Sequence, residues 1–291
     1  MQSVFRCFTI VVVLFVCGFA SAKQPVKILG HAENAHTGQL FFSEFMNLLW
    51  REPELSDHYQ LLEIAEDGYR KQKLEVLLRR KVIDINWAGA KKQLNNQAIK
   101  IPLPVVGGLL GYRIALIRSE DAGRFAGIAS LDDLKAFRAC QGKTWLDADI
   151  LEYNGIAVAR VSNNQSMVKM LFQGRCDMFP RGIHEVVSEL ANYQRTFPSV
   201  MMDKSLVIQY DFASYLYVRH SDALLAERLT TAFRRVIHNG SYRRLLEEHD
   251  YTKHIFPLSQ WETARFIYLQ NPEHDTDLKA SPNYLNLSGH K

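Results

Sequence analysis

The chain has 291 residues, 47% hydrophobic and 23% charged, an ordinary globular balance with enough length for about two domains. Its 35 Lys+Arg against 31 Asp+Glu give a formal charge of +4, scattered along the chain. That excludes a basic tract for nucleic acid or for a membrane surface.

The first 22 residues read as a secretory signal: Arg6 as the positive region, an apolar stretch over 7–19, and Ala20, Ser21 and Ala22 before a cleavage expected at Lys23. The apolar run is short of the roughly 20 residues that span a bilayer. Export removes Cys7 and Cys17 and leaves Cys140 and Cys176 in an oxidising compartment, where a disulfide and two buried free thiols are both open readings.

Strand and helix then alternate: strand 26–30, helix 39–50 with Phe41, Phe42, Phe45, Met46 and Leu49 on one face, strand 59–65, helix 69–81, strand 82–87. Residues 101–111, with two prolines and three glycines, read as a loop, and 112–118 as a strand. A second unit follows. Ser130 and Asp133 have capping-box spacing before a helix over 131–137. Strands are expected at 142–146, 158–161, 177–179, 206–210 and 213–218, with Asn163 or Asn164 capping a helix through Met167, Val168, Met170 and Leu171. The longest periodic helix spans 222–239, with a further helix at 261–269 and a loose polar tail over 270–291.

Four stretches carry a resemblance: the exported strand–helix–strand–helix–strand start, SLDDLKAFRACQGKTW, MVKMLFQGRCDMFPRG, and SYLYVRHSDALLAERLTTAFRRVIHNGSYRRLLEEH. In this order and spacing the chain resembles the bacterial extracellular solute-binding proteins of family 3, over about residues 26–251. The resemblance implies an α/β, two-lobed type II periplasmic binding protein fold, each lobe a mostly parallel sheet flanked by helices. Lobe 1 would be 23–114 plus 216–269, lobe 2 the insert 119–213, and 114–118 and 214–218 the hinge strands. It also implies that the strands at Gly142 and Asp177 are neighbours. That would join Cys140 to Cys176 at the end opposite a ligand.

Ligands in such folds sit beyond the carboxyl ends of strands. The rule nominates His31, Glu33, Trp87, Trp145, Asp147, Asn163 and Arg181, with Tyr215 at the return crossing. Arg181, between Pro180 and Gly182, is placed to grip an anion with two parallel hydrogen bonds. Its alternative is pairing with Glu185 four residues on. Amino-acid binders of the family carry an arginine after the third strand and an acid after the Gly-Arg-x-Asp strand. Here those places hold Lys91-Lys92 and Arg181-Gly182, so an anionic solute is as much expected as an amino acid.

The expected function is a periplasmic monomer that closes on a small polar solute for an ABC permease or a membrane receptor. It uses no cofactor or metal and binds no nucleic acid. The competing reading is a dehydratase-like lyase on the same fold, with Glu33, Asp147 or Glu185 as acid or base; no pair among them has diagnostic spacing.

Overall fold

The computed structural model describes residues 22–30, 37–65, 68–69, 72–273 and 278–289. Residues 1–21 of the expected signal segment, and His31 and Glu33, lie outside these residues. Among the described residues no helix is long and apolar enough to cross a membrane.

The first run of elements is β1 (Gln24–Leu29), α1 (Thr37–Leu49), α2 (Pro53–Ser56), β2 (Tyr59–Ile64), α3 (Leu74–Arg79), β3 (Ile85–Gly89), α4 (Lys92–Asn95) and β4 (Ala98–Pro104). The second is β5 (Tyr112–Arg118), α5 (Ala122–Ala126), α6 (Leu131–Leu134), β6 (Ala139–Gly142), α7 (Leu146–Tyr153), β7 (Val158–Val161), α8 (Asn164–Phe172), β8 (Phe179–Gly182), α9 (Val186–Gln194) and β9 (Val200–Gln209). The chain returns through β10 (Ser214–Arg219), α10 (Ala223–His238) and α11 (Ser241–Glu248), and ends with β11 (Arg265–Tyr268).

Two lobes result. In lobe 1, β1 and β2 pair in parallel, the Asp84 N–H donates to the Lys27 carbonyl at 2.8 Å beside β3, and β10 lies antiparallel between β3 and β4. In lobe 2, β6 pairs with β7 in parallel and bridges Met178 ahead of β8. There β5 lies antiparallel between β8 and β9, and β11 adds in parallel to β9. The fold class is the expected one. The sheets are mixed because β5 and β10, the first strand after each crossing, run against their neighbours. The chain passes from β4 to β5 through residues 105–111, with a 3-10 turn at Leu109–Gly111, and from β9 to β10 through 210–213; the strands expected as hinges lie within β5 and β10.

Cys140 and Cys176 form a disulfide with Cα atoms 5.7 Å apart, toward the amino end of β6 and away from its tip at Gly142. The capping box at Ser130 and Asp133 forms, and Asn163 Oδ1 accepts the Ser166 N–H at 2.8 Å at the start of α8.

Three expectations are corrected. Residues 98–104, read partly as loop, form β4, an edge strand paired with β10; Pro102 lies where the register with β10 shifts, between the Lys100 and Pro104 pairs. The helix expected at 261–269 is a turn followed by β11, which belongs to the lobe 2 sheet rather than to lobe 1. The tail is packed: Leu278, Leu285 and Leu287 are buried, with Asn271 and Asn283.

Candidate functional site

The tips of β3, β6 and β8 and the starts of α1, α3, α7, α8 and α9 converge on the gap between the lobes. Residues from the two sides touch across it. Thr37 Oγ1 donates to Ser188 Oγ at 3.2 Å, and Lys91 Nζ donates to the Thr144 carbonyl at 3.1 Å. The His254 Nε2 lies 2.9 Å from the Ile183 carbonyl, and the Tyr251 ring meets His184 edge-on with centroids 4.9 Å apart. The lobes are closed on one another. Among the described residues two cavities lie between them. One, of about 860 Å³, is lined by Gln39, Trp87, Asn163, Ser188, Tyr193 and Tyr251; the other, of about 630 Å³, by Glu75, Gly89, Lys91, Trp145, Asp147 and Phe212. Glu185 lines both.

A charged cluster forms the lobe 2 wall. The Arg181 guanidinium is buried and reaches Glu189 through two parallel bonds, Nε to Oε2 at 2.6 Å and NH2 to Oε1 at 2.7 Å. It also meets Glu185 Oε2 at 3.1 Å and lies 4.9 Å over the Trp145 ring. Arg181 lines the smaller cavity, its i,i+4 pairing with Glu185 forms, and its Nε and NH2 are engaged by Glu189 and Glu185, so an anion there would compete with carboxylates of the protein. Arg113, buried near the start of β5, binds Asp147 at 2.6 Å and approaches Glu185 Oε2 at 3.6 Å. Asp147 also accepts the Tyr210 hydroxyl. Asp147 therefore holds Arg113 rather than capping α7, whose N-cap is Trp145.

Glu185 is the pivot. The Gly182 N–H donates to its Oε2 at 3.0 Å, and the contacts with Arg181 and Arg113 end on the same oxygen. Among the described residues no hydrogen bond or ion pair reaches Oε1. Burial acts to raise this carboxyl, and the neighbouring Arg181 and Arg113 charges with the Gly182 N–H outweigh it, holding it at about 2. A Cβ at residue 182 would stand 2.7 Å from Glu185 Oε2. The Glu185 carboxylate thus occupies space that Gly182 leaves vacant. Beside it the buried His184 is pushed down to about 4, first by burial and then by Arg113 and Arg181.

The other nominated residues divide. Trp87 lines the larger cavity, stacked on Phe42 at 5.5 Å and packed against Tyr251. Trp145 lines the smaller one, and Asn163 lines the larger while capping α8. Tyr215 lines neither; it is buried in the lobe 1 core with Lys100 4.6 Å over its ring. Residues not nominated from sequence are Arg113, Glu189, Tyr210 and Tyr251. Arg113 had a signal, a charge near the start of the otherwise apolar strand YRIALIR. The others come from turns and helices whose approach to the gap depends on tertiary packing.

No protein-family model and no curated protein matches the chain. Solved structures do. The probable amino-acid ABC transporter extracellular-binding protein ytmK from Bacillus subtilis is 17% identical, with 78% of this chain and 98% of that one covered and a TM-score of 0.58. An ancestral arginine-binding protein bound to arginine is 15% identical over the same shares, with a TM-score of 0.54. A periplasmic His/Glu/Gln/Arg/opine family-binding protein from Silicibacter pomeroyi in complex with lysine is 10% identical, covering 72% of this chain and 86% of that one, with a TM-score of 0.52. At these identities the likeness establishes architecture: the chain has the two-lobed fold of the periplasmic amino-acid-binding proteins, with its cleft between the lobes.

Proposed function

We propose that the chain is an exported solute-binding protein that captures a small solute bearing an ammonium or guanidinium group between its lobes, for an ABC permease or a membrane receptor. The observation that carries this is the Glu185 carboxylate, ionised at neutral pH and lining both cavities of the cleft. The two buried guanidiniums, which would otherwise favour an anion, already meet carboxylates of the protein. Aromatic rings of Trp87, Tyr193 and Tyr251 line the larger cavity and suit a cation's apolar surroundings. Structural neighbours bound to arginine and to lysine support the same class of solute. The disulfide supports export.

Binding is favoured over lyase chemistry by the same geometry. A general base works best with a pKa near the working pH. Glu185 is held near 2, and Asp147 is committed to Arg113 and Tyr210.

The test is a thermal-shift and calorimetry screen of the mature protein against arginine, lysine, ornithine, putrescine, glutamate and citrate. A cationic compound is expected to raise Tm, and Glu185→Gln is expected to weaken that compound at least ~10-fold, the scale of a lost charged hydrogen bond. Stabilisation by citrate or glutamate alone, retained in Glu185→Gln, would overturn the reading. Product formation from the bound compound would replace it with the enzyme.

A further inference from the structure

A two-lobed protein opens by changing backbone angles in the segments that cross between lobes. Here both crossings are held from outside by the C-terminal segment. At the first crossing, Asn283 Nδ2 donates to the Pro104 carbonyl at 2.7 Å and the Leu285 N–H to the Gly107 carbonyl at 2.8 Å. At the second, Asn271 Nδ2 donates to the Asp211 carbonyl at 2.8 Å, and Lys279 Nζ meets Asp211 Oδ1 at 3.0 Å. The Tyr284 and Tyr112 hydroxyls are 2.8 Å apart where β5 begins.

The packing is equally specific. Gly107 and Gly108 have φ of 60° and 81°, which favours glycine. A Cβ at Gly107 would stand 2.7 Å from Leu285 Cγ, and one at Gly108 2.8 Å from Tyr284 Cδ2. Turn and strap are therefore shaped to each other.

The same segment also grips each lobe. In lobe 2, β11 extends the sheet, and Gln270 and Asn154 exchange hydrogen bonds at 2.9 and 2.8 Å. In lobe 1, Glu273 accepts the Lys92 N–H at 3.1 Å, and Leu278 is buried in one cluster with Leu94, Ala213 and Tyr217. The matched structures are covered to 98% while 78% of this chain is used, so they lack a counterpart for part of it.

We infer that the described residues of the C-terminal segment, 265–273 and 278–289, act as a hinge strap, a third connection between the lobes that limits how far they open. The strap must shear along the crossings, or its bonds to Pro104, Gly107 and Asp211 must break, before the lobes separate widely. It narrows the open ensemble and slows solute release.

The experiment uses ligand-free mature protein, so its outcome is independent of which solute binds. Spin labels on Glu44→Cys in α1 and Arg195→Cys after α9, both exposed and on opposite lobes, report the interlobe distance by pulsed electron resonance. Removing residues 278–291 is expected to shift the distribution to longer distances and broaden it. Asn283→Ala combined with Tyr284→Ala, which keeps the chain length, is expected to give a smaller shift of the same sign and serves if the truncated chain does not fold. Distributions matching those of the unaltered labelled protein, in folded variants, would overturn the strap.

Discussion

Around Glu185, charge and burial set how the protein responds to acid. His184 is buried, with Glu185 beside it, the Arg113 and Arg181 charges near, Tyr251 edge-on to its ring and His254 close by, and its pKa is depressed from 6.5 to about 4. The unfolded chain therefore binds a proton that the native one refuses, so stability rises with pH between about 4 and 6.5 and is lost as pH falls through that window. His249 and His254 are lowered as well, chiefly by burial, and add in the same direction. Glu185 acts later: its contribution is full above 4.5 and fades only as pH falls toward 2. Urea unfolding at pH 7 and pH 4.5 should differ by on the order of 3 kcal/mol from His184 alone. His184→Gln should flatten the slope by close to one proton; an unchanged slope would refute the assignment. Arg181→Ala leaves Glu185 and Glu189 facing one another in a largely buried place, and should destabilise by about 3–5 kcal/mol rather than merely lose a ligand contact. At this scale the sequence was half legible. The strand-end rule found Arg181, Trp145 and Asn163 at the cleft, because it depends only on where strands stop. It could not tell that Arg181 is already neutralised, since Glu189 is one helical turn beyond Glu185 and its approach depends on how α9 sets down on the sheet.

Among the elements, legibility follows how local the determining forces are. Caps and long apolar stripes declare themselves: Ser130, Asn163, and Leu225, Leu229, Ala232, Phe233 and Val236 along α10 all do in the structure what their spacing predicts. Short strands do not. β6 is Ala-Cys-Gln-Gly, too short for a period, and begins three residues before the strand expected at 142–146; Gly142 instead ends it, where the Trp145 ring fills the space a Cβ would need. β11 was misread because Arg265–Tyr268 has no partner nearby in sequence; its strand state is imposed by the exposed edge of β9. The disulfide is an element-scale staple. It joins β6 to the segment entering β8 and closes a loop with a sequence separation of 36. A loop of that length constrains the unfolded chain by about 4 kcal/mol in the entropic account, commonly reduced to ~2–4 in practice. Cys140→Ala with Cys176→Ala should lower unfolding free energy by that amount while leaving the cleft intact. A loss below ~0.5 kcal/mol in urea titration, within the ordinary scatter of surface substitutions, would show that the staple is idle.

For the whole molecule the question is whether the lobes are separate folding units. Two α/β lobes joined by two short crossings should unfold in two steps if each has its own core. This chain is built otherwise. One continuous cluster of buried apolar side chains runs from Phe41 and Phe45 in lobe 1, through Tyr112, Leu285 and Leu287 at the hinge, to Met167, Phe179 and Val200 in lobe 2. The strap adds Leu278 to the lobe 1 side and β11 to the lobe 2 sheet, so neither lobe is complete without residues that follow the last crossing. Losing either lobe exposes part of the other's core, and that coupling predicts one cooperative transition. The tryptophans make the test direct. Trp50 and Trp87 belong to lobe 1, Trp145 to lobe 2 and Trp261 to the turn before β11, so in a Trp261→Phe background Trp145→Phe leaves fluorescence in lobe 1 alone, and Trp50→Phe with Trp87→Phe leaves it in lobe 2 alone. Their urea curves should coincide with each other and with far-ultraviolet circular dichroism. With residues 278–291 removed, the curves should part, because the lobes then keep only the shared contacts at the crossings. Separate midpoints in the full-length mature protein would mean that the common core does not couple the lobes, and coincident midpoints in the shortened chain would mean that the strap adds nothing to that coupling.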